Sequence, residues 1–218
     1  MRPLRRSDLK PFQETAAGQL AAMIQEFPSP RFRLKYDSDT GLPMPFLCRL
    51  RAITGAGKTP MLAVAAAHLK DGIILWTTNR GAVISQTLAK LRPGGSYSEL
   101  VPDGTQVFIV SEMSDMDWIE MASKKSGLTI LLATVAAFNQ DGDQLRIHRE
   151  RNGFKPWSSL AGVGEHPRQR PLYVFYDEGH GATERQFRKL MELVPTAFVL
   201  ASASPLPDDL ADLLPGKS

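Results

Sequence analysis

The feature that most restricts the fold is a regular alternation that begins at residue 45. Apolar runs of strand length are followed by segments of helix length, and the pattern repeats to about residue 202. The strand-like runs are FLCRLRAI, GIILWTT, TQVFIV, LTILLAT, PLYVFYD and TAFVLAS. Nearly continuous apolar strands separated by helices are typical of a parallel sheet covered on both faces. We therefore predict an α/β fold, a doubly wound and mostly parallel sheet in a three-layer sandwich.

The first 44 residues have a different character. A helix is predicted over LKPFQETAAGQLAAMIQEF, because its apolar residues recur at helical spacing and Pro11 suits a first turn. The next stretch, PSPRFRLKYDSDTGLPMP, favours a loop or short extended connection. We therefore divide the chain into this N-terminal part (1–44), a sheet domain (45–207) and a tail (208–218).

Residues 139–171 interrupt the alternation. They show no clear period and hold six Lys or Arg against four Asp or Glu. A structureless stretch of this length inside a compact domain is usually functional or disordered. We predict a basic, mobile surface insertion, and an ordered loop that contacts nucleic acid is the alternative.

Composition and charge restrict the class of protein only loosely. The net charge of +3 is compatible with a nucleic-acid partner but does not require one. No apolar run approaches the length of a membrane helix, and the basic start MRPLRRSDLKPFQ lacks the apolar centre of a signal peptide. We expect a cytoplasmic protein with no membrane partner. Cys48 is the only cysteine, and its strand-like surroundings predict a buried, inert thiol.

A glycine-rich turn between the first strand and the following helix predicts a nucleotide site. Gly55 and Gly57 permit a sharp turn and a close approach of phosphates, while the amides of residues 54–59 converge on a helix N-terminus. Lys58 would place a positive charge on the β and γ phosphates, and Thr59 would hold Mg²⁺. The predicted cofactor-binding residues of this loop are Thr54, Gly55, Ala56, Gly57, Lys58 and Thr59.

Two residues depart from the usual phosphate-loop pattern GxxxxGK[ST]. Ala52 stands where the pattern begins with glycine, and Pro60 directly follows Thr59. We expect Ala52 to need no positive φ if Gly55 and Gly57 carry the tight turn. Pro60 would lie in the first helical turn, where its missing N–H costs little. A chance glycine-rich turn is the alternative interpretation.

The segment PLYVFYDEGHG supplies carboxylates for the same site. Asp177, at the carboxyl end of a predicted strand, can hold Mg²⁺, and Glu178 can polarise a water for attack on the γ-phosphate. We predict Lys58, Asp177 and Glu178 as catalytic residues, with Thr59 and Asp177 as the metal ligands. The alternative is that the two acidic residues only cap a helix.

These motifs resemble a known family. AITGAGKT followed by DEGH resembles motifs I and II of the DEAD/DEAH-like helicases and translocases of superfamily two, where alanine commonly begins motif I. LKPFQ resembles the upstream adenine-reading motif, ILWTTNRGAVISQT motif Ia, LLATVAAFN motif Ib and LASASP motif III. The resemblance runs from about residue 9 to 207 and is closest to the ATPase part of type III restriction endonuclease subunits. It implies a RecA-like domain that binds ATP and Mg²⁺.

The resemblance also assigns roles to four polar residues. Gln13 would hydrogen-bond an adenine edge, and His180, which we include among the catalytic residues, would couple the nucleotide state to motif III. Ser202 and Ser204, which replace the threonines often seen there, would serve the same coupling. The plain alternatives are an exposed helix residue for Gln13, a helix start for His180 and a strand end for the two serines.

The implied partner is nucleic acid, with DNA favoured over RNA. By analogy Arg80 and Thr134 would lie on the nucleic-acid face; a solvated arginine and a helix cap are the plain alternatives. Family members have two such domains, with an arginine finger on the second. We expect that second domain to be missing here, since 13 residues follow Pro205. The isolated chain should then bind ATP and hydrolyse it poorly.

The sequence favours the N-terminal half of an ATP-dependent DNA helicase or translocase. A non-catalytic ATP-binding interaction module that uses the site as a switch is the second hypothesis. The third is another P-loop enzyme, such as a small-molecule kinase or a phage packaging ATPase. Nothing in the sequence reads as the lid that a kinase needs, and the histidine of DEGH favours the helicase-like class.

Overall fold

One parallel sheet organises the chain. The computed structural model describes residues 2–26, 45–138, 147–150, 154–178 and 183–204. The strands are β1 (Phe46–Arg51), β2 (Gly72–Thr78), β3 (Gln106–Ile109), β4 (Leu128–Thr134), β5 (Leu172–Asp177) and β6 (Ala197–Ser202). Their order in the sheet is β1-β6-β5-β2-β4-β3, and every neighbouring pair is parallel. Each strand-like run of the sequence therefore forms a strand, as predicted.

Helices cover the sheet on both faces. They are α1 (Pro11–Glu26), α2 (Lys58–Leu69), α3 (Gly81–Leu91), α4 (Asp115–Ser123), α5 (Pro156–Ala161) and α6 (Glu184–Met191). Side chains that alternate along the strands enter two cores: Trp76 and Phe175 pack with α1, α2 and α3, whereas Tyr176 and Phe198 pack with α4, α5 and α6. This confirms the predicted three-layer α/β sandwich of RecA-like type.

The position of the central strand β2 explains why the strand-like runs of the sequence are almost continuously apolar. All seven residues of β2 are buried, because this strand has a neighbour on each side and helices on each face. A strand in that position cannot show the polar and apolar alternation of a half-exposed sheet. The edge strand β3, by contrast, is only half-buried along its whole length.

Helix α1 packs on α2 and so reaches the phosphate loop. The buried face of α1 includes Leu20 and Ile24, which join the core of α2. At the far end of the pair, Gln25 Nε2 donates a hydrogen bond of 2.9 Å to the carbonyl oxygen of His68. This packing brings the first turn of α1, which contains Gln13, against the loop that precedes α2.

The segment 139–171 differs from its sequence-based prediction. Residues 139–146 and 151–153 lie outside the described residues. The remainder contains α5 and is folded against the core, where Trp157 and Leu160 are buried with α4 and α6. This described remainder is therefore packed as part of the domain, whereas the prediction for residues 139–146 and 151–153 lies outside the described residues. The six-residue helix is too short for its apolar spacing to stand out as a period.

Two arginines of this segment are structural. The Arg170 side chain is 2% exposed and donates to the Gly127 carbonyl at 2.5 Å, the Met121 carbonyl at 3.0 Å and Thr129 Oγ1 at 3.1 Å. Arg168 donates to carbonyls of α5 and of the loop before β6. Burial lowers the pKa of both guanidinium groups. These cations join the amino ends of the strands and do not provide a surface for nucleic acid.

Two further expectations can be checked in the fold. Cys48 is buried in β1, as predicted, and burial raises the pKa of its thiol to about 12. Across the described ranges, no helix combines the length and apolar character that crossing a membrane demands.

Replacing Arg170 by Met should destabilise the fold strongly. The variant keeps the apolar stem but leaves buried carbonyls without donors, which should lower the free energy of unfolding by about 3 kcal/mol. Urea unfolding followed by circular dichroism measures the change. The matched control is Arg92→Met, at the exposed end of α3, which should change the stability little. Equal stability of the two variants would contradict the assigned role of Arg170.

Candidate nucleotide site

The loop between β1 and α2 has the backbone of a phosphate cradle. Gly57 immediately precedes α2 with a φ of 82°, and Gly55 has a φ of 81°. Both values are in the left-handed region that side chains rarely adopt. A Cβ atom at Gly57 would overlap Gln13 Nε2, whereas one at Gly55 would meet no atom. The loop therefore depends on glycine at both positions, and at Gly57 for space as well.

The two departures from the phosphate-loop pattern fit this backbone. Ala52 is not among the described non-glycine residues with a positive φ, as expected if the turn is made further along. Its N–H donates to the Ser202 carbonyl at 3.2 Å, which extends the pairing of β1 with β6. Pro60 is the third residue of α2 and is buried there. Its missing N–H falls in the first turn, where an intrahelical acceptor is absent anyway.

Gln13 contacts the phosphate loop directly. Its Nε2 donates to the Ala56 carbonyl at 2.7 Å, and its Oε1 accepts from the Lys10 N–H at 2.8 Å. The amide therefore joins the start of α1 to the loop. The plain alternative for Gln13, an exposed helix residue, does not describe this half-buried side chain.

The phosphate loop and the DEGH segment meet through one ion pair. Lys58 Nζ lies 3.5 Å from Glu178 Oε1. The Lys58 side chain is 8% exposed, whereas that of Glu178 is 45% exposed. Residues separated by 120 positions are thus brought together at one edge of the sheet, the arrangement predicted for the two halves of the site.

Asp177 is the buried carboxylate of the acidic pair. It is the last residue of β5 and is 4% exposed. Burial raises its pKa, the neighbouring charge of Glu178 raises it further, and the ammonium of Lys58 acts in the opposite direction. The Glu178 N–H donates to Asp177 Oδ1 at 3.1 Å, and Glu178 itself has a φ of 61°. A non-glycine residue in that region marks local strain, which is common at functional sites.

The strand end at β6 lies between the phosphate loop and the acidic pair. Ser202 is fully buried, and its hydroxyl donates to the Ser204 carbonyl at 2.9 Å. The same carbonyl accepts from the guanidinium of Arg49 on β1 at 3.2 Å. Because β6 pairs with both β1 and β5, this turn contacts both halves of the site. Ser202 thus ends β6, as its plain alternative also predicts, and the coupling role of the two serines stays a prediction.

The two candidate nucleic-acid residues lie further along the same edge. Arg80 is exposed between β2 and α3, and Thr134 is the half-buried last residue of β4. Thr134 lines a cavity of about 190 Å³ with Gly81 and Ser85 of α3. The segments that resemble motifs Ia and Ib are therefore adjacent, although Thr134 also precedes a short 3₁₀ turn, as a cap would.

One predicted site residue lies beyond what the structure describes. His180 is outside the described residues, as are the tail 208–218 and the connection 27–44. The role of this histidine therefore stays a prediction.

Three residues beside the site have no clear sequence signal. Arg49 is one of two arginines in the described strands, and only the pairing of β1 with β6 brings it to Ser204. Tyr176 directs its hydroxyl to Asn79 Oδ1, at 2.8 Å, across the β2–β5 pair. The position of Tyr176 before the DEGH segment is visible in the sequence, but its partner depends on the order of strands.

The residues of the candidate site fit a nucleoside triphosphate with a divalent ion. Two left-handed glycines open the loop to a phosphate at the N-terminus of a twelve-residue helix, and Lys58 supplies the charge. The hydroxyl of Thr59 and the carboxylate of Asp177 are oxygen donors of the kind that Mg²⁺ prefers. Among the described residues no group of three or more His, Cys, Asp or Glu could hold a metal by itself. Magnesium in phosphate sites commonly uses few protein ligands and completes its shell with phosphate and water.

Alanine at Gly57 should cost more stability than alanine at Gly55. Each change forces a side chain into the left-handed region, at about 1–2 kcal/mol. Gly57→Ala also displaces Gln13 from the Ala56 carbonyl, which should add about 1 kcal/mol. Urea unfolding measures both variants, and repeating them with Gln13→Ala should reduce their difference. An unchanged difference in that background would contradict the proposed contact.

Asparagine at Asp177 should stabilise the metal-free protein at neutral pH. Because the folded pKa of Asp177 is raised, its contribution to stability is complete below the unfolded pKa and is lost as the pH rises. Ionisation of Asp177 at neutral pH therefore costs the fold stability, and the neutral amide removes that cost. Urea unfolding in EDTA should show the gain at neutral pH and its decline toward the ordinary pKa of 3.8. Asp103→Asn, on an exposed loop, is the control and should show no such gain.

Comparison with known families agrees with the geometry. The family model described as the type III restriction enzyme, res subunit, matches residues 7–206. None of the individually curated proteins compared with the chain matches it. The matched range includes Gln13, the phosphate loop, the acidic pair and all six strands. The chain therefore belongs to the type III restriction enzyme res subunit family, and its α/β domain is a helicase-like ATPase domain of superfamily two.

Proposed function

We propose that this chain is the ATP-binding N-terminal motor domain of a DEAD/DEAH-like DNA helicase or type III restriction enzyme-like translocase. It hydrolyses ATP with Mg²⁺ when nucleic acid and a second RecA-like domain complete the site. The observation that carries the proposal is the 3.5 Å contact between Lys58 Nζ and Glu178 Oε1. It joins the phosphate loop to the acidic segment in one site, which chance motifs would not do.

The residues of the site divide the chemistry between them. The loop amides and Lys58 bind the phosphates, which draws the ammonium away from Glu178. The freed Glu178 carboxylate then accepts a proton from the attacking water, as a general base. Thr59 and Asp177 would hold Mg²⁺, which neutralises phosphate charge when it is bound.

Adenine recognition is assigned to Gln13. Its amide already uses one donor on the Ala56 carbonyl and one acceptor site on the Lys10 N–H. A primary amide has a second proton and a second lone pair, which match the acceptor and donor on the outer edge of adenine. Gln13 can therefore bind the base while it remains in contact with the phosphate loop.

The nucleic-acid partner is proposed from the family and from the position of the loops. Arg80 and the cavity beside Thr134 lie at the carboxyl edge of the sheet, beyond the acidic pair. The restriction-enzyme family favours DNA over RNA, and a cytoplasmic location would suit that partner. We assign His180, Ser202 and Ser204 to coupling between the nucleotide and the second domain. That domain would supply the arginine finger, which can raise the rate of hydrolysis by about 10³ to 10⁵.

A set of three variants tests the nucleotide site. Lys58→Met removes the charge and keeps the stem, so the affinity for a fluorescent ATP analogue with Mg²⁺ should fall by at least about tenfold. Lys125→Met, on an exposed loop at the opposite edge, is the matched control and should bind like the wild type. Glu178→Gln should retain binding, because it changes the general base and not the phosphate cradle.

Turnover separates the motor from the other hypotheses. With a second RecA-like domain added in trans and DNA present, the wild type should hydrolyse ATP, and Glu178→Gln should be slower by at least about 100-fold. Tight binding with no turnover under those conditions would select the non-catalytic ATP-binding module. Turnover that ignores DNA and RNA would favour another P-loop ATPase, such as a packaging motor. Equal nucleotide binding by the wild type and Lys58→Met would refute the site itself.

A further inference from the structure

A buried tyrosine connects the acidic pair to the loop that follows β2. The Tyr176 hydroxyl donates to Asn79 Oδ1 at 2.8 Å and lies 3.2 Å from Gln186 Oε1. Gln186 in turn accepts from the Thr183 N–H at 3.1 Å, in the capping box that begins α6. One hydroxyl thus contacts the end of β2 and the start of α6.

The two residues joined by this contact each lie next to a candidate site residue in the chain. Tyr176 immediately precedes Asp177 in β5 and is paired in register with Thr77 of β2. Asn79 immediately precedes Arg80, at the exposed turn into α3. The hydrogen bond therefore links the strand that ends in Asp177 to the candidate nucleic-acid loop.

The hydroxyl is not needed to fill the core. Tyr176 is 0% exposed, and its ring packs in the apolar cluster with residues of α4, α5 and α6. A phenylalanine would occupy nearly the same volume without placing a polar atom among apolar side chains, which is costly unless the atom is hydrogen-bonded.

We infer that Tyr176 is a positioning residue that couples the nucleotide site to the loop containing Asn79 and Arg80. Its backbone is continuous with Asp177, so a shift of the acidic pair alters the distance from its hydroxyl to Asn79. A shift of the loop likewise acts on the acidic pair, because such coupling is reciprocal. The inference rests on the proposed function, since it names how ATP and nucleic acid influence each other's affinity.

The test measures coupling rather than affinity. Binding of a labelled single-stranded DNA of mixed sequence is titrated with and without a non-hydrolysable ATP analogue and Mg²⁺. The ratio of the two dissociation constants is the coupling factor. Tyr176→Phe should move this ratio toward one by about three- to tenfold, as expected for the loss of one buried hydrogen bond. Its affinity for the ATP analogue without DNA should stay within about twofold of the wild type, a small change beside that expected for a hydrogen bond.

Two further variants distinguish a loss of coupling from a general structural effect of the substitution. Tyr173→Phe makes the same change in the same strand, at the opposite end of β5, and should keep the coupling factor of the wild type. Asn79→Ala removes the other partner from an exposed position and should reproduce Tyr176→Phe. The double variant should lose no more coupling than either single one, since both act on one contact. Thermal unfolding confirms that each variant is folded.

Each outcome decides a separate question. A wild-type coupling factor in folded Tyr176→Phe or Asn79→Ala overturns the inference. Binding of both ligands by the wild type without mutual influence also overturns it, and the proposed nucleotide site stands. A wild type that binds no nucleotide overturns the proposed function, and this inference with it.

Discussion

The parallel pairing of all six strands is the constraint on which the site depends. Strands that run the same way end at the same edge, so every segment that follows a strand is delivered to one side of the sheet. The phosphate loop follows β1, Ser202 ends β6 and Asp177 ends β5, and these are three adjacent strands. If one of these three strands were antiparallel, the residues that follow it would lie at the opposite edge of the sheet, away from the rest of the site.

The site is assembled at a cost to local stability. Asp177 is a buried carboxylate with a raised pKa, and Glu178 has a backbone conformation that side chains disfavour. Lys58 offsets part of this cost, because its ammonium lies near both acidic groups. Bound phosphate would compete for that ammonium. A nucleotide that displaced this ammonium would therefore change the balance of charge at the acidic pair.

Structure can be predicted from the sequence where a local pattern determines it, and cannot be predicted where it depends on residues distant in the chain. The strands and the glycine turn were predictable, because apolar runs and left-handed glycines have few alternatives. The positions of Arg168 and Arg170 were not, since a basic segment reads as exposed until the carbonyls that bind it are known. Helix α5 was also missed, because six residues carry too little periodicity to distinguish a buried helix from a loop.

The strand order also decides where a signal between the two ligands must pass. From the phosphate loop the sequence of elements along the edge is β1, β6, β5, β2 and β4, so the acidic pair stands between the nucleotide and the loops at Arg80 and Thr134. Any influence carried through the sheet must cross the boundary between β5 and β2. The backbone ladder there is fixed by pairing, which leaves side-chain contacts as the adjustable link. At the carboxyl end of that boundary, the Tyr176 to Asn79 hydrogen bond is such a side-chain contact.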